Sequence, residues 1–145
     1  MRLFSFCLLL LLVSCGGPRV MLPSGGSAPG TNAGPSACFI KGRIITIDRP
    51  TGGDSTSPCS RFPCSASVAI MEVGGCGAGV TEPLTPGDIV TMHFSMTLEP
   101  SKEVFPTGRM NLPGLESGDV FTAAAVQRLK PGGSAVFVVN EYTRQ

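Results

Sequence analysis

Between residues 39 and 142, short segments of apolar or alternating character are separated by clusters of Gly, Pro, Asp and Ser. Short segments rich in Val, Ile and Thr are typical of β-strands. A helix would need a longer segment in which apolar residues recur with a period of 3.6 residues. Residues 89–97 alternate most strictly, with Val90, Met92, Phe94 and Met96 on one face and Thr91, His93, Ser95 and Thr97 on the other. We predict one helical turn at Pro100–Val104 and strands at Phe39–Asp48, Ser65–Val73, Ile89–Thr97, Val120–Gln127 and Ala135–Tyr142.

Similar sequences precede the last three predicted strands: LTPGDIV, LESGDVF and LKPGGSAV. Each has a glycine three residues after a leucine, then Asp or Gly, and then the apolar residues of the strand. Glycine supplies a positive φ and aspartate can bond to nearby backbone, so both residue types favour tight turns. A phosphate-binding loop would be followed by a helix. Because strands follow here, we interpret all three sequences as structural turns.

The order and spacing of the strands resemble the OB-fold, a small five-stranded barrel, over the stretch from Cys38 to Tyr142. The similarity includes a long first strand containing Gly42, a hairpin to the second and third strands, and a long connection before the fourth. In such a barrel the first strand bends to join both halves, and a glycine allows the bend. The sequence therefore predicts an all-β, OB-fold-like domain. The alternative is an immunoglobulin-like β-sandwich, which usually has about seven strands.

The N-terminus, MRLFSFCLLLLLVSC, places one basic residue before an apolar run and small residues after it. The run is roughly a dozen residues long, whereas a membrane-spanning helix needs about 20. This order is typical of a cleaved signal peptide, here residues 1–14. The sequence LVSC, which ends at Cys15, resembles the lipobox of bacterial lipoproteins. The resemblance implies cleavage before Cys15, a diacylglycerol thioether on its sulfur and acylation of its amine. Ordinary signal cleavage is the alternative.

Residues 15–37 consist mainly of Gly, Pro, Ser and Ala without strand or helix periodicity, and we predict a flexible tether before a folded domain at 38–145. Two or more acyl chains would anchor such a chain to a membrane. The residues directly after Cys15, Gly16 and Gly17, are not aspartate, which favours an outer membrane, with either its periplasmic or its outer surface possible. Removal of Arg2 leaves ten basic and ten acidic residues, so no basic field would attract nucleic acid.

Four further cysteines are expected outside the cytoplasm: Cys38, Cys59, Cys64 and Cys76. An even number in this setting indicates disulfides. If the first two strands form an antiparallel hairpin, Cys38 lies beside Cys76, which leaves Cys59 to pair with Cys64. A zinc site usually has two closely spaced pairs, and a redox site has two residues between its cysteines, whereas CSRFPC has four. We therefore predict two structural disulfides.

No catalytic, cofactor-binding or metal-binding residue is predicted. His93 is the single histidine, and no sequence signature indicates a nucleophile or a carboxylate that would complete a triad with it. One histidine is also too few for a dedicated transition-metal site. The glycines of GGCGAG, residues 74–79, are not followed by a helix, so they do not form a dinucleotide-binding fingerprint.

These features favour a non-catalytic binding or accessory lipoprotein of the cell envelope with a protein or glycan partner. In OB-like folds the face of the second and third strands and the adjoining loops bind ligands. The corresponding loops here are Ser55–Phe62 and Gln127–Gly133. Arg61 and Phe62 lie between two cysteines of the predicted second disulfide, and we predict that they are contact residues on a small rigid loop.

Two other functions are open from the sequence. One is a protease-inhibitor-like module, because netrin-like inhibitor domains have a disulfide-linked barrel of the OB type. Those inhibitors act through a free N-terminal cysteine, whereas Cys38 follows a tether, so their mechanism does not transfer. The other is a hydrolase with a site around His93.

Overall fold

A computed structural model describes residues 34–50, 52 and 56–145. The predicted signal peptide, Cys15 and the tether as far as residue 33 lie outside the described residues, as does Ser55 at the start of one predicted binding loop. In the part of the chain that is described, no helix is long and apolar enough to cross a bilayer.

The described residues form five strands and two short helical segments. The strands are β1 (Ala37–Ile47), β2 (Ser65–Cys76), β3 (Ile89–Phe94), β4 (Val120–Leu129) and β5 (Ala135–Arg144), and the helical segments are a 3₁₀ turn at Pro58–Ser60 and α1 at Ser101–Val104. All five predicted strands and the predicted helical turn are confirmed, with ends that differ by a few residues.

The five strands close into a barrel in the order β1-β2-β3-β5-β4, with β4 pairing back onto β1. Every pair is antiparallel except β3 and β5, which run parallel with Met92 opposite Phe137. The long β3–β4 connection lets the chain re-enter the sheet beyond β5 rather than beside β3. The barrel confirms the predicted all-β, OB-fold-like domain.

The barrel interior is filled by the buried residues of alternating strand positions. Three aromatic rings, those of Phe94, Phe121 and Tyr142, contact one another edge to face with centroids 5.7–6.3 Å apart. Gly42 lies among these side chains, since a Cβ added there would come within 2.6 Å of Val68 Cγ1 and 3.3 Å of the Phe121 ring. The register between β1 and β2 also shifts at this glycine. Gly42 thus permits both the irregular strand and the close packing inside it.

The predicted third strand is too long. β3 ends at Phe94, and Thr97, which the alternation placed on the polar face, is buried with 1% of its surface exposed. Its hydroxyl donates to the Pro63 carbonyl at 3.2 Å and accepts from the Glu99 amide at 3.1 Å. The chain turns inward after β3, so strand alternation no longer decides which side chains are exposed.

Among the described residues, packed structure also includes residues 34–37, which the sequence assigned to the tether. Ala37 is buried in β1, and the carbonyl of Ser36 accepts a hydrogen bond from the Gln127 backbone at 2.7 Å. The carbonyl of Pro35 accepts one from the Gly79 amide at 2.8 Å. Residues 34–37 therefore pack against β4 and the β2–β3 connection.

The glycines of GGCGAG make this packing possible. A Cβ at Gly77 would overlap the carbonyl oxygens of Gly34 and Pro35, and one at Gly79 would lie 3.1 Å from the Pro35 oxygen. The presence of glycine at both 77 and 79 is explained by the close approach of these two backbone segments.

The predicted turns are confirmed before β3 and β4. The Asp88 carboxylate accepts from the Thr85 amide at 2.8 Å, and the Asp119 carboxylate accepts from the Glu116 amide at 2.9 Å. The glycine before each aspartate has a positive φ, 98° and 95° respectively. In both turns the aspartate carboxylate therefore satisfies a backbone donor three residues earlier, which fixes the entry into the strand.

Both predicted disulfides are confirmed. Cys38 and Cys76 face each other across β1 and β2, and their bond joins residues 38 positions apart. The Cys59–Cys64 bond joins residues five positions apart and closes the end of the β1–β2 connection. The first therefore fixes one end of the β1–β2 hairpin, and the second forms a compact loop at the other.

Candidate binding face

The Arg61 loop, residues 59–64, begins in a short 3₁₀ turn. Ser57 caps the turn, because its Oγ accepts from the Cys59 amide at 3.3 Å and its carbonyl accepts from the Ser60 hydroxyl at 2.7 Å. The Phe62 amide donates to the Pro58 carbonyl at 2.9 Å, which closes the turn before the disulfide does. The loop conformation is thus held both by hydrogen bonds and by a covalent bond.

The C-terminal side of the Arg61 loop is attached to the segment after β3. The Pro63 carbonyl accepts from the Leu98 amide at 2.9 Å, and the Cys64 carbonyl accepts from the Phe94 amide at 2.7 Å. The buried Cys64 leads directly into β2 at Ser65. These bonds join the loop to the barrel, so its orientation relative to the sheet is fixed.

Arg61 is exposed and Phe62 is half-buried. The Arg61 guanidinium carbon lies 5.9 Å from the centroid of the Phe62 ring, within the range of a cation–π contact. The aromatic ring thus supports the guanidinium at the surface of the loop.

The adjoining β2–β3 face has three rows of outward-facing residues, which we define by the register between the strands. The rows are Ser65 with His93, Ser67 with Thr91, and Ala69 with Ile89. The intervening β2 residues, Ala66 and Val68, are buried in the core. The face therefore presents hydroxyl groups along its middle, with an imidazole near the Arg61 loop and the 69% exposed Ile89 at the far end.

His93 lies in the row next to the Arg61 loop. Its Nδ1 is 3.4 Å from the Ser65 hydroxyl. Burial of the imidazole, and to a lesser extent the charge of Lys130, lower the pKa of His93 below its ordinary value. The neutral ring is therefore favoured at neutral pH and offers one donor and one acceptor. Among the described residues, the Ser65 hydroxyl lies within hydrogen-bonding distance of the His93 ring nitrogen, and the charge of Lys130 acts on the ring.

The second predicted loop, Gln127–Gly133, begins later than expected. Gln127 is a buried residue of β4, where its Oε1 accepts from the Thr81 amide at 2.8 Å. The turn itself is closed by the Lys130 amide, which donates to the Ser134 carbonyl at 2.9 Å. Leu129, just before the turn, is 64% exposed. Only the later part of the predicted loop is thus available for contacts.

Within residues 34–50, 52 and 56–145, no three His, Cys, Asp or Glu side chains are grouped so as to hold a metal ion.

A concave surface beside Phe39, on β1, β4 and β5, was not predicted from the sequence. Its lining comes from segments far apart in sequence and carries no motif, so only the assembled barrel reveals it.

No protein-family model matches the chain, and neither a curated protein nor a solved structure is significantly similar to it. The fold is therefore assigned from the order and pairing of its strands.

Proposed function

We propose that this protein is a lipid-anchored lipoprotein of the bacterial cell envelope whose barrel binds a protein partner through the Arg61 loop and the β2–β3 face, without catalysing a reaction. The lipobox-like sequence ending at Cys15 supports the anchor, and the absence of aspartate at positions 16 and 17 supports an outer-membrane location. The observation that carries the binding proposal is the disulfide-closed loop that supports Arg61 on Phe62 beside an outward sheet face.

The rigidity of the Arg61 loop favours binding. A flexible loop loses conformational entropy when a partner orders it, whereas a loop already held by a disulfide and by backbone hydrogen bonds has less to lose. Arginine and aromatic residues are also the types most often found at the energetic centre of protein interfaces. Arg61 and Phe62 combine both properties at one point of the surface.

The chemistry of the β2–β3 face suits a polar partner with acidic groups. Ser67 and Thr91 can bond to backbone or amide groups, while Arg61 and Lys130 supply positive charge. The exposed side chains of Ile89 and Leu129 add apolar area beyond the hydroxyl groups. A partner segment that carries a carboxylate and an apolar residue would complement this surface.

An affinity purification tests the proposal. The full-length chain, tagged at its C-terminus and extracted from the envelope in detergent after reversible cross-linking, is compared with an Arg61→Ala/Phe62→Ala variant. We expect one or more envelope proteins to be recovered with the wild type and to be depleted about tenfold or more in the variant. Truncation of the residues at the energetic centre of an interface typically weakens binding by this much. Identical sets of proteins from both chains would overturn the assignment of the binding loop.

A second double variant provides the matched control. Lys41→Ala/Met71→Ala likewise removes one cation and one large apolar side chain, but from the end of the β1–β2 hairpin near Cys38–Cys76. We expect it to recover the same proteins as the wild type. Depletion in this control as well would show that the loss results from surface change in general and would contradict the proposal.

A further inference from the structure

Two adjoining clefts, of about 400 and 240 Å³, lie on the outside of the barrel over β1 and β4. Phe39 and Thr122 line both of them, so they form one continuous surface that we call the Phe39 groove. The strand order places β4 across the barrel from β2 and β3. The β2 residues that line the smaller cleft, Glu72 and Gly74, lie beyond the rows of the β2–β3 face, which end at Ala69, so the Phe39 groove shares no residue with that face.

Phe39 is a half-buried aromatic residue with small neighbours on both sides. In the register it lies opposite Gly75 of β2 and Ala124 of β4. Its ring packs over Gly74, where an added Cβ would lie 3.2 Å from Phe39 Cδ1. No bulky side chain at these neighbouring positions covers the ring, so part of the aromatic surface is available to a ligand.

Polar side chains surround this ring without being used by the protein. Asn111, Thr122, Glu141 and Thr143 line the larger cleft, and none of their side chains forms a hydrogen bond with another described residue. They supply an amide, a carboxylate and two hydroxyls, which together donate and accept hydrogen bonds. The groove thus combines an aromatic surface with a rim of uncommitted polar groups.

An irregularity in the sheet lies beside Glu141. Ala123 pairs with Tyr142 but Ala125 pairs with Val139, so two β5 residues, at positions 140 and 141, lie opposite Ala124. Extra residues of this kind are common beside functional sites. The Glu141 carboxylate at this irregularity takes part in no ion pair among the described residues.

The charge of the groove is negative. Glu141 contributes an unpaired carboxylate at one end, while at the other end Lys41 and Glu72 neutralise each other through a 3.1 Å ion pair. An anionic ligand would therefore be repelled, and a neutral one with several hydroxyl groups would be accepted.

We propose that the Phe39 groove binds a short linear saccharide without acidic groups. A pyranose ring presents C–H groups on one face, which would lie against Phe39, and hydroxyl groups at its edge, which would bond to Asn111, Thr122 and Glu141. The combined cleft volume falls in the range of small-ligand sites. This site does not depend on the proposed function of the Arg61 loop, because the two surfaces share no residue.

The single tyrosine provides a direct test. The chain has no tryptophan and one tyrosine, Tyr142, which is 8% exposed and whose ring packs against the core beneath the larger cleft that it lines. Its fluorescence is followed while the full-length protein, in a zwitterionic detergent without a sugar headgroup, is titrated with cellotriose, with triacetylchitotriose and with trigalacturonic acid. We expect a saturable change with at least one neutral trisaccharide and weaker binding of the anionic one.

Two variants locate the binding. Ala124→Leu adds a bulky side chain at an exposed position of the groove and removes no contact, so it should fold normally and abolish binding. Phe39→Leu keeps an apolar side chain but removes the aromatic surface, and it should weaken binding by about tenfold. Phe62→Leu, a matched aromatic substitution in the Arg61 loop, should bind the saccharide like the wild type.

Glu141→Gln tests the charge. It keeps the hydrogen-bonding shape and should narrow the difference between neutral and anionic trisaccharides. Absence of saturable binding by both neutral probes, or binding that persists in Ala124→Leu, would overturn the proposal. Loss of binding in Phe62→Leu alone would place the saccharide at the Arg61 loop and would overturn it as well. Thermal melts verify that each variant is folded.

Discussion

The carbonyl oxygen of Ser36 accepts a hydrogen bond of 2.7 Å from the backbone amide of Gln127, which joins the start of the folded domain to β4. Gln127 also holds the β2–β3 connection, because its Oε1 accepts from the Thr81 amide and hydroxyl at 2.8 and 3.2 Å. A single buried residue of β4 therefore contacts two other segments. Residues 34–37 are therefore part of the folded domain, and their contacts should contribute to its free energy of unfolding.

Substitution of Gly77 tests this attachment. Gly77→Ala places a methyl group against the carbonyls of Gly34 and Pro35, so the segment must move or lose its hydrogen bonds. We expect the free energy of unfolding to decrease by about 1–3 kcal/mol, as for other overpacked sites. Urea unfolding followed by circular dichroism measures it. Gly34→Ala is the control, because nothing lies within 4 Å of a Cβ there, and an equal loss in both variants would contradict the prediction.

The two disulfides should differ in their contribution to stability. In the chain-entropy treatment, the bond joining residues 38 positions apart stabilises by about 4 kcal/mol and the one joining residues five apart by about 2 kcal/mol. We expect Cys38→Ala/Cys76→Ala to lower the free energy of unfolding more than Cys59→Ala/Cys64→Ala. Denaturant unfolding under oxidising conditions compares the two pairs.

The same two variants separate stability from binding. Cys59→Ala/Cys64→Ala releases the Arg61 loop and should reduce recovery of the partner protein, although it costs less stability. Cys38→Ala/Cys76→Ala should retain the partner under conditions in which it is folded. The reverse order of recovery would argue against a role for the Arg61 loop in binding.

The pH dependence of stability should report His93. Burial, and secondarily Lys130, hold the pKa of His93 below its ordinary value of 6.5, so the unfolded chain takes up the proton more readily than the folded one. The free energy of unfolding should therefore decrease as the pH falls from about 6.5 through the folded pKa, and it should be unaffected by His93 above that range. His93→Gln should remove this part of the dependence.

An NMR titration of the single histidine measures the folded pKa of His93 directly. Lys130→Gln should raise it only slightly, because burial is the larger of the two causes. A folded pKa at or above 6.5 in the wild type would contradict the prediction.

Lipidation is tested at Cys15. The wild-type chain should incorporate labelled fatty acid and remain with the membrane fraction after a high-salt wash, because acyl chains and not charge would hold it there. Cys15→Ala should lose the label and should not be processed by the lipoprotein signal peptidase. Cys7→Ala, which changes the other cysteine of the N-terminal segment, should leave labelling unchanged. Equal labelling of wild type and Cys15→Ala would contradict the lipobox interpretation.

Local sequence patterns predicted the strands and turns because each depends on neighbouring residues. Alternation identified β3 as far as Phe94, and the Gly-Asp pairs identified the turns at Asp88 and Asp119. The pairing of Cys38 with Cys76 also followed from one local assumption, that β1 and β2 form a hairpin. These features depend on sequence spacing, which can be read without knowing the rest of the fold.

Features that depend on distant segments were not predicted. The burial of Thr97 requires the Pro63 carbonyl, which belongs to a different part of the chain. The inclusion of residues 34–37 requires Gly77, whose role is visible only when two backbones meet. The Phe39 groove likewise is lined by segments far apart in sequence, and no sequence pattern marks the extra β5 residue beside it before its partner strand is known.

The antiparallel hairpin of β1 and β2 gives the molecule two opposite poles. The chain enters at Ala37, beside Cys76, and the Arg61 loop lies at the other end of the same hairpin. The 11 residues of β1 separate the two ends by about 30 Å along the strand. If the proposed lipid anchor holds the barrel from its N-terminal side, Arg61 points away from the membrane, and the length of one strand adds to the distance that the proposed tether would span.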